Sequence, residues 1–284
     1  MSDLAGERLN LIHLDELHPG GNKYYKLKYN LRAARKSGFS RILSFAGAWS
    51  NHILELARAG REQGFETIGV IRGEQPEQLS ATLQDAVALG MRLEFVSRSI
   101  YRNRTEPELL QGLQQQFGEF YHLPEGGTNP LAVQGCTEIV TALEQHLKTY
   151  DLVCLPVGTG GTLAGIAAAL PVDKQVLGFA VVKGALYLDD VVRDLIREES
   201  DGSARDNWSI NHDYHCGGYA RCPAYLQEFI LDFERQHPIR LEPVYSGKLM
   251  YGLAELLRRQ QIDSSMSIAA IHTGGLQGRR GFDF

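Results

Sequence analysis

The segment HPGGNKYYKLKYN (18–30) carries three lysines where a helix begins. Lys23 follows two glycines and an asparagine, at a helix start where the aligned peptide dipoles place partial positive charge. That field favours the neutral amine, the form that attacks carbonyl compounds. Most lysines are simply solvated, and spacing alone does not choose among Lys23, Lys26 and Lys28. A second segment, LPVGTGGTLAG (155–165), runs an apolar stretch into Gly158-Thr159-Gly160-Gly161-Thr162 and then into a helical pattern. Glycines let the backbone approach an anion, the free N–H groups of the helix point at it, and threonine hydroxyls add hydrogen bonds. The loop lacks the GK[ST] ending of a Walker motif, and Leu163 stands where a dinucleotide fingerprint has its third glycine. No clear acid follows the next strand to hold a ribose. Phosphate is the ligand that fits. The plainer alternative is a tight turn whose glycines serve packing alone.

Three further segments offer polar groups. In SFAGAWSNH (44–52), Ser50 and Asn51 begin a helix. They suit helix capping equally well and a polar clamp at the carboxyl end of a parallel strand, where α/β proteins bind ligands. EPVYSGKLMYG (242–252) and AIHTGG (270–275) each set hydroxyls and glycines at the end of an extended stretch. Cys216 and Cys222, with His212 and His215 nearby, suggest a metal site only weakly, because no second CxxC pair accompanies them. Free thiols and no metal are expected.

Strand-length apolar runs alternate with helical patterns through most of the chain. Helices are expected over 23–36, 51–63, 81–89, 106–117, 132–147, 161–170 and 188–198, with strands at 41–47, 66–73, 92–97, 151–158, 175–182 and 267–275. Such alternation predicts an α/β fold whose mostly parallel sheets are covered by helices. The polar stretch 198–207 is expected to be a loop, and 207–223 has no clear periodicity.

The net charge of -5 leaves no basic excess for phosphate backbones, so nucleic acid is not the expected partner. The opening MSDLAGERLN has neither the basic start nor the apolar run of a secretory leader, and no stretch reaches the roughly 20 apolar residues of a membrane span. A cytoplasmic protein with no membrane partner is expected.

Together, GGNK with KL at 26–27, SNH at 50–52, PVGTGGT, PVYSGK and HTGG resemble, in that order, the fold-type II pyridoxal-phosphate enzymes. Within that group the chain is similar to the 1-aminocyclopropane-1-carboxylate deaminase and D-cysteine desulfhydrase family. The resemblance implies two three-layer, tryptophan synthase β-like α/β domains, a large one of residues 1–36 and 124–284 and a small one of 37–123. The cofactor, pyridoxal 5'-phosphate, would lie between them. It implies that Lys23 carries the cofactor as a Schiff base, that Asn51 bonds its phenolic oxygen, and that Thr159, Gly160, Gly161 and Thr162 hold its phosphate. Ser50 matches a serine near the substrate carboxylate, Tyr245 a tyrosine beside the reacting carbon, and Tyr219 a second active-site tyrosine. A small amino acid as substrate and a homodimer are likewise implied.

The sequence departs from the deaminases after the PVY tyrosine, where they carry glutamate and this chain has Ser246. Ser246 and Thr273 would hold the pyridine nitrogen through hydroxyls without protonating it, leaving a weaker electron sink. That favours D-cysteine desulfhydrase-like elimination, giving pyruvate, ammonia and sulfide, over cyclopropane ring opening. A family member that binds the cofactor without turnover is the remaining alternative.

Overall fold

The computed structural model describes residues 9–200, 202, 205–282 and 284. In chain order, β1 (Leu9–His13) and the short α1 (Leu14–Leu17) lead to α2 (Asn22–Lys36). There follow β2 (Arg41–Ala46), α3 (Asn51–Gln63), β3 (Glu66–Arg72), α4 (Ala81–Ala88), β4 (Arg92–Val96), α5 (Arg98–Arg102), α6 (Pro107–Phe117) and β5 (Tyr121–Leu123). The chain continues through α7 (Pro130–Ala142), α8 (Glu144–Leu147), β6 (Leu152–Val157), α9 (Gly161–Ala169), β7 (Gln175–Ala180) and α10 (Tyr187–Glu199). It closes with β8 (Trp208–Asn211), α11 (Ala224–Gln236), α12 (Ser246–Arg258) and β9 (Ile268–His272).

These strands form two sheets, ordered β4-β3-β2-β5 and β1-β9-β6-β7-β8. Every pairing is parallel. A parallel sheet is stable when both faces are covered, and the strand residues show why that happens here. In β6, Val153, Leu155 and Val157 face one way, into a core with Val133 and Ile139 of α7 and Leu163 and Ile166 of α9. Leu152 and Cys154 face the other way, against Ile230 of α11 and Leu249 and Leu253 of α12. The period of two puts a helical layer on each side. In the other sheet, Ile42 and Ala46 of β2 pack on Leu27 and Leu31 of α2 and Ile53 and Leu56 of α3. Leu43 and Phe45 pack on Tyr101 of α5 and on Leu113 and Phe117 of α6. Each sheet is therefore the middle of three layers, the predicted α/β architecture.

Several elements differ from expectation. The stretch 242–252 is not the end of an extended segment: a turn leads directly into α12, because Glu242 satisfies the free N–H groups at its start. The helix expected over 132–147 divides into α7 and α8 at Leu143. Within 207–223, β8 forms an edge strand on β7. The expected loop 198–207 begins after α10 ends at Glu199; Asp201, Ser203 and Ala204 lie outside the described residues. Among the described residues no helix is long and apolar enough to cross a membrane, and all four cysteines are free.

Candidate active site

The carboxyl ends of β2, β3, β6 and β9 and the starts of α2, α3 and α9 converge on a cavity of about 830 Å³. The first of these helix starts is that of α2. Gly20 and Gly21 take positive φ (91° and 55°) and turn the chain so that the Asn22 N–H donates to the Thr273 carbonyl at 3.0 Å. A Cβ on Gly21 would lie 2.2 Å from that carbonyl oxygen, so only glycine lets the turn sit against the end of β9. Lys23 therefore projects at the first turn of α2 into the cavity. Part of its side chain faces that space while protein surrounds the rest. Burial first, and then the charge of Lys26, pull its pKa down to about 7. A substantial neutral fraction near pH 7 is what an amine nucleophile or base requires.

Lys26 lies one turn further along α2 and is only 2% exposed. Its ammonium donates to Gly126 O at 3.2 Å, Thr128 Oγ1 at 2.8 Å and Thr159 Oγ1 at 3.2 Å. This joins α2 to the loop after β5 and to the loop after β6. Burial lowers its pKa to about 8. At the second loop, Gly160 takes φ 83° and α9 begins at Gly161. A Cβ on Gly161 would sit 3.2 Å from Lys26 Nζ and 3.0 Å from Thr128 Cγ2. The cation, the hydroxyls and the helix N-terminus thus surround a cradle that admits no side chain.

Two tyrosines, Tyr219 and Tyr245, also stand on the cavity wall, ring centroids 6.2 Å apart in an edge-on arrangement. Their hydroxyls share a hydrogen bond, and burial raises Tyr219 to about 12 and Tyr245 well above its ordinary value. Both are protonated phenols at neutral pH. Two buried charged groups hold them. Glu242, 1% exposed, accepts the N–H groups of Val244, Tyr245 and Ser246 at 2.6–2.8 Å. Lys248, fully buried, donates to Gly218 O at 2.6 Å and to Val181 O at 3.3 Å, pinning the Tyr219 loop to the end of β7.

Of the residues singled out from sequence, Lys23, Ser50, Asn51, Thr159, Gly160, Thr162, Tyr219, Tyr245 and Thr273 all line this cavity. Gly161 lies just behind the cradle. Ser246 also stands off the cavity wall: it is 2% exposed, and its hydroxyl accepts the Glu242 N–H at 2.9 Å. Of the two hydroxyls expected near a cofactor ring, Thr273 is the one on the wall. Sequence reasoning weighed Lys26 only as an alternative to Lys23 and assigned no role to Glu242 or Lys248. Lys26 had a signal, its three-residue spacing from Lys23, which puts both amines on one face of α2.

The model of the family "Pyridoxal-phosphate dependent enzyme" matches residues 1–274. The chain belongs to that family. This pyridoxal-phosphate enzyme is 30% identical over 277 residues to a candidate 1-aminocyclopropane-1-carboxylate deaminase of Thermotoga maritima, with 93% of this chain and 87% of the relative covered. It is 27% identical over 279 residues to the bifunctional D-cysteine desulfhydrase/1-aminocyclopropane-1-carboxylate deaminase, mitochondrial, of Arabidopsis thaliana, covering 91% of this chain and 69% of the relative. A solved structure of an ACC deaminase homologue superposes with a TM-score of 0.84 at 26% identity, over 95% of this chain and 85% of that one. The fold is that of the fold-type II pyridoxal-phosphate enzymes.

The residues present fit the cofactor. The cradle of Lys26, Thr159 and the α9 N-terminus suits a phosphate, and the depressed amine of Lys23 suits an aldehyde. On the same cavity wall Asn51 has a buried side-chain oxygen, Oδ1, with no partner among the described residues, and the neighbouring His52 likewise leaves Nδ1 unpaired. Burial, with Lys23 and Lys26 close by, keeps His52 neutral. A buried polar atom left unpaired is costly unless a ligand completes it.

Proposed function

We propose that this pyridoxal-phosphate enzyme eliminates a β-substituent from a small amino acid, in the manner of a D-cysteine desulfhydrase, giving pyruvate, ammonia and, from cysteine, sulfide. One observation supports elimination over ring opening. Among the described residues the single acid lining the cavity is Glu125, and Arg104 engages it at 2.8 Å. Glu242 lies beneath the wall with its oxygens committed to three backbone N–H groups. No free carboxylate is left to keep a pyridine nitrogen protonated, so a good leaving group must supply part of the driving force.

When bound, pyridoxal phosphate supplies an electron sink for negative charge at the substrate's α-carbon. The chain's own residues would do the rest. Lys26, Thr159, Gly160, Gly161 and Thr162 would hold the phosphate, and Asn51 would bond the ring oxygen. Ser50, at the N-terminus of α3, would receive the substrate carboxylate, where the helix end favours negative charge. Lys23, its amine lowered to about 7 and so partly neutral near pH 7, would take the α-proton onto Nζ. Tyr245 and Tyr219, protonated and hydrogen-bonded to each other, offer a proton to the departing group on their side. Homodimeric assembly belongs to the same proposal, supported by the family resemblance alone.

The names of the relatives favour ring opening of 1-aminocyclopropane-1-carboxylate as the second reading. Visible spectra of the holoenzyme and of Lys23→Ala, with sulfide, pyruvate and 2-oxobutanoate measured on both substrates, decide between the two. Sulfide and pyruvate from D-cysteine, lost in Lys23→Ala, are expected. A cofactor band with no turnover of either substrate defeats both readings and leaves a cofactor-binding protein.

A further inference from the structure

The cavity's charge is out of balance with the chain. The protein as a whole is net negative at -5, yet Glu125 is the only acidic side chain among the described lining residues, against Lys23, Lys26 and five arginines. Arg104 is paired with Glu125. Arg72, Arg98, Arg102 and Arg221 have no carboxylate within ion-pair distance among the described residues. Arg98 and Arg102 stand four apart on α5, where like charges repel across one helical turn. Arg72 is held rather than loose: its guanidinium lies 5.7 Å from the centroid of the buried Tyr101 ring. It also borders Gly47, where a Cβ would meet Arg72 Nη2 at 3.8 Å and the Tyr219 ring at 3.6 Å. Arg72 and Tyr219 therefore flank one opening beside Ser50 and Asn51.

The anions already assigned do not use these arginines. The cofactor phosphate is served by the Lys26 cradle, and the α-carboxylate by the start of α3. A guanidinium presents paired donors to an oxyanion, and several of them at a cleft mouth raise the local concentration of anionic ligands.

We propose that the amino acid this site takes carries a second anionic group as its β-substituent, a sulfonate or a phosphate, received by Arg72, Arg98, Arg102 and Arg221. The proposal rests on the elimination reading above and narrows its substrate class. With 3-sulfoalanine the α-proton passes to Lys23, and the Cβ–S bond breaks with its electron pair leaving on sulfur as sulfite. The aminoacrylate then takes up water and releases ammonia to give pyruvate. With O-phosphoserine the Cβ–O bond breaks and phosphate leaves. Neither route needs an oxidant or a reductant.

The test uses the holoenzyme with both enantiomers of 3-sulfoalanine, O-phosphoserine and cysteine, following kcat/KM for pyruvate formation, and measures their binding by calorimetry at low and high salt. We expect at least one anionic amino acid to exceed cysteine in kcat/KM by about tenfold or more, with affinity that weakens as salt rises. The ratio of anionic to cysteine kcat/KM should fall by about tenfold or more in the Arg72→Gln/Arg102→Gln double variant. The sulfonate and phosphate arms show which anion is taken. Holoenzyme that eliminates from cysteine but neither prefers nor binds any anionic probe overturns this inference alone, as does a double variant that scales all substrates equally. Protein that takes up no pyridoxal phosphate overturns the elimination reading and this inference with it.

Discussion

The carboxylate of Glu242 holds the backbone of Tyr245: Oε1 accepts the Tyr245 N–H at 2.6 Å and the Ser246 N–H at 2.7 Å, while Oε2 accepts Val244 N–H at 2.8 Å. Burial raises its pKa, and the three N–H bonds oppose that rise. Glutamine can accept with only one oxygen and turns an amide N–H₂ toward backbone donors. Glu242→Gln is therefore expected to cost about 1–3 kcal/mol of stability and to lower kcat through displacement of the Tyr245 ring. Urea unfolding and steady-state kinetics measure both, and an unchanged midpoint with unchanged kcat would show that the carboxylate has no positioning role.

Lys26 bonds two loops through its ammonium, so its removal should weaken the phosphate cradle rather than the chemistry. Lys26→Met is expected to raise the cofactor Kd by about 10- to 100-fold, as for the loss of a hydrogen bond to a charged group. Fluorescence titration of apoprotein with pyridoxal phosphate reads this directly. Full affinity in the variant would place the phosphate elsewhere.

The depressed pKa of Lys23 sets the pH at which apoprotein captures its cofactor. Only the neutral amine attacks an aldehyde. The neutral fraction grows as pH rises through the folded value, so the capture rate should climb with a midpoint near 7, not near the ordinary 10.5. Stopped-flow absorbance from pH 6 upward tests it. A rate still climbing steeply beyond pH 9 would mean that burial and Lys26 do not act on this amine as described.

His272, 1% exposed at the end of β9, is held down to about 4 by burial and then by the stacked ring of His13, with Asp15 opposing. The unfolded chain protonates this histidine below about 6.5 while the folded one does not, so folding stability is lost as pH falls from 6.5 toward 4. The loss attributable to this group is on the order of 3 kcal/mol. His272→Asn keeps a side-chain acceptor for the Gly274 N–H, which His272 Nδ1 accepts at 3.2 Å, and removes the titration. Thermal melts at pH 7, 6 and 5 should fall less steeply in the variant. Parallel slopes would assign the acid sensitivity to other groups, His52 first.

Local features of the sequence specified local structure well. Asn51–Gln63 reads as an amphipathic helix and is one, closed by Gly64 in the left-handed region at φ 75°. The Gly-Thr-Gly-Gly turn after an apolar strand and the helix start at GGNK are legible for the same reason: short stretches of neighbouring residues carry both the turn geometry and the periodicity. The segment 242–252 was misread because its conformation depends on a buried carboxylate at its own first residue, and neither burial nor capping is visible in composition. The helix 224–236 carries a legible pattern, Leu226, Phe229, Ile230 and Phe233 at i, i+3, i+4 and i+7, that the sequence reading left out, whereas β5 and β8, of three and four residues, are too short to show a period.

By itself the sequence determined an α/β chain with parallel sheets and a glycine-threonine turn at 158–162, since each follows from residue type and near-neighbour spacing, whereas only the family resemblance singled out Lys23 from Lys26 and Lys28. Only the tertiary structure decided that Lys26 reaches Thr128 and Thr159, more than 100 positions away, that Glu242 lies beneath Tyr245, and that Ser246 turns off the cavity wall while Thr273 stands on it. It also decided that arginines from 72 to 221 gather around one opening in a negatively charged protein. The physical reason is common to all of these. Burial and proximity shift charges, satisfy carboxylates and concentrate cations, and both arise only when the carboxyl ends of the strands in two separate sheets are brought to face one cavity.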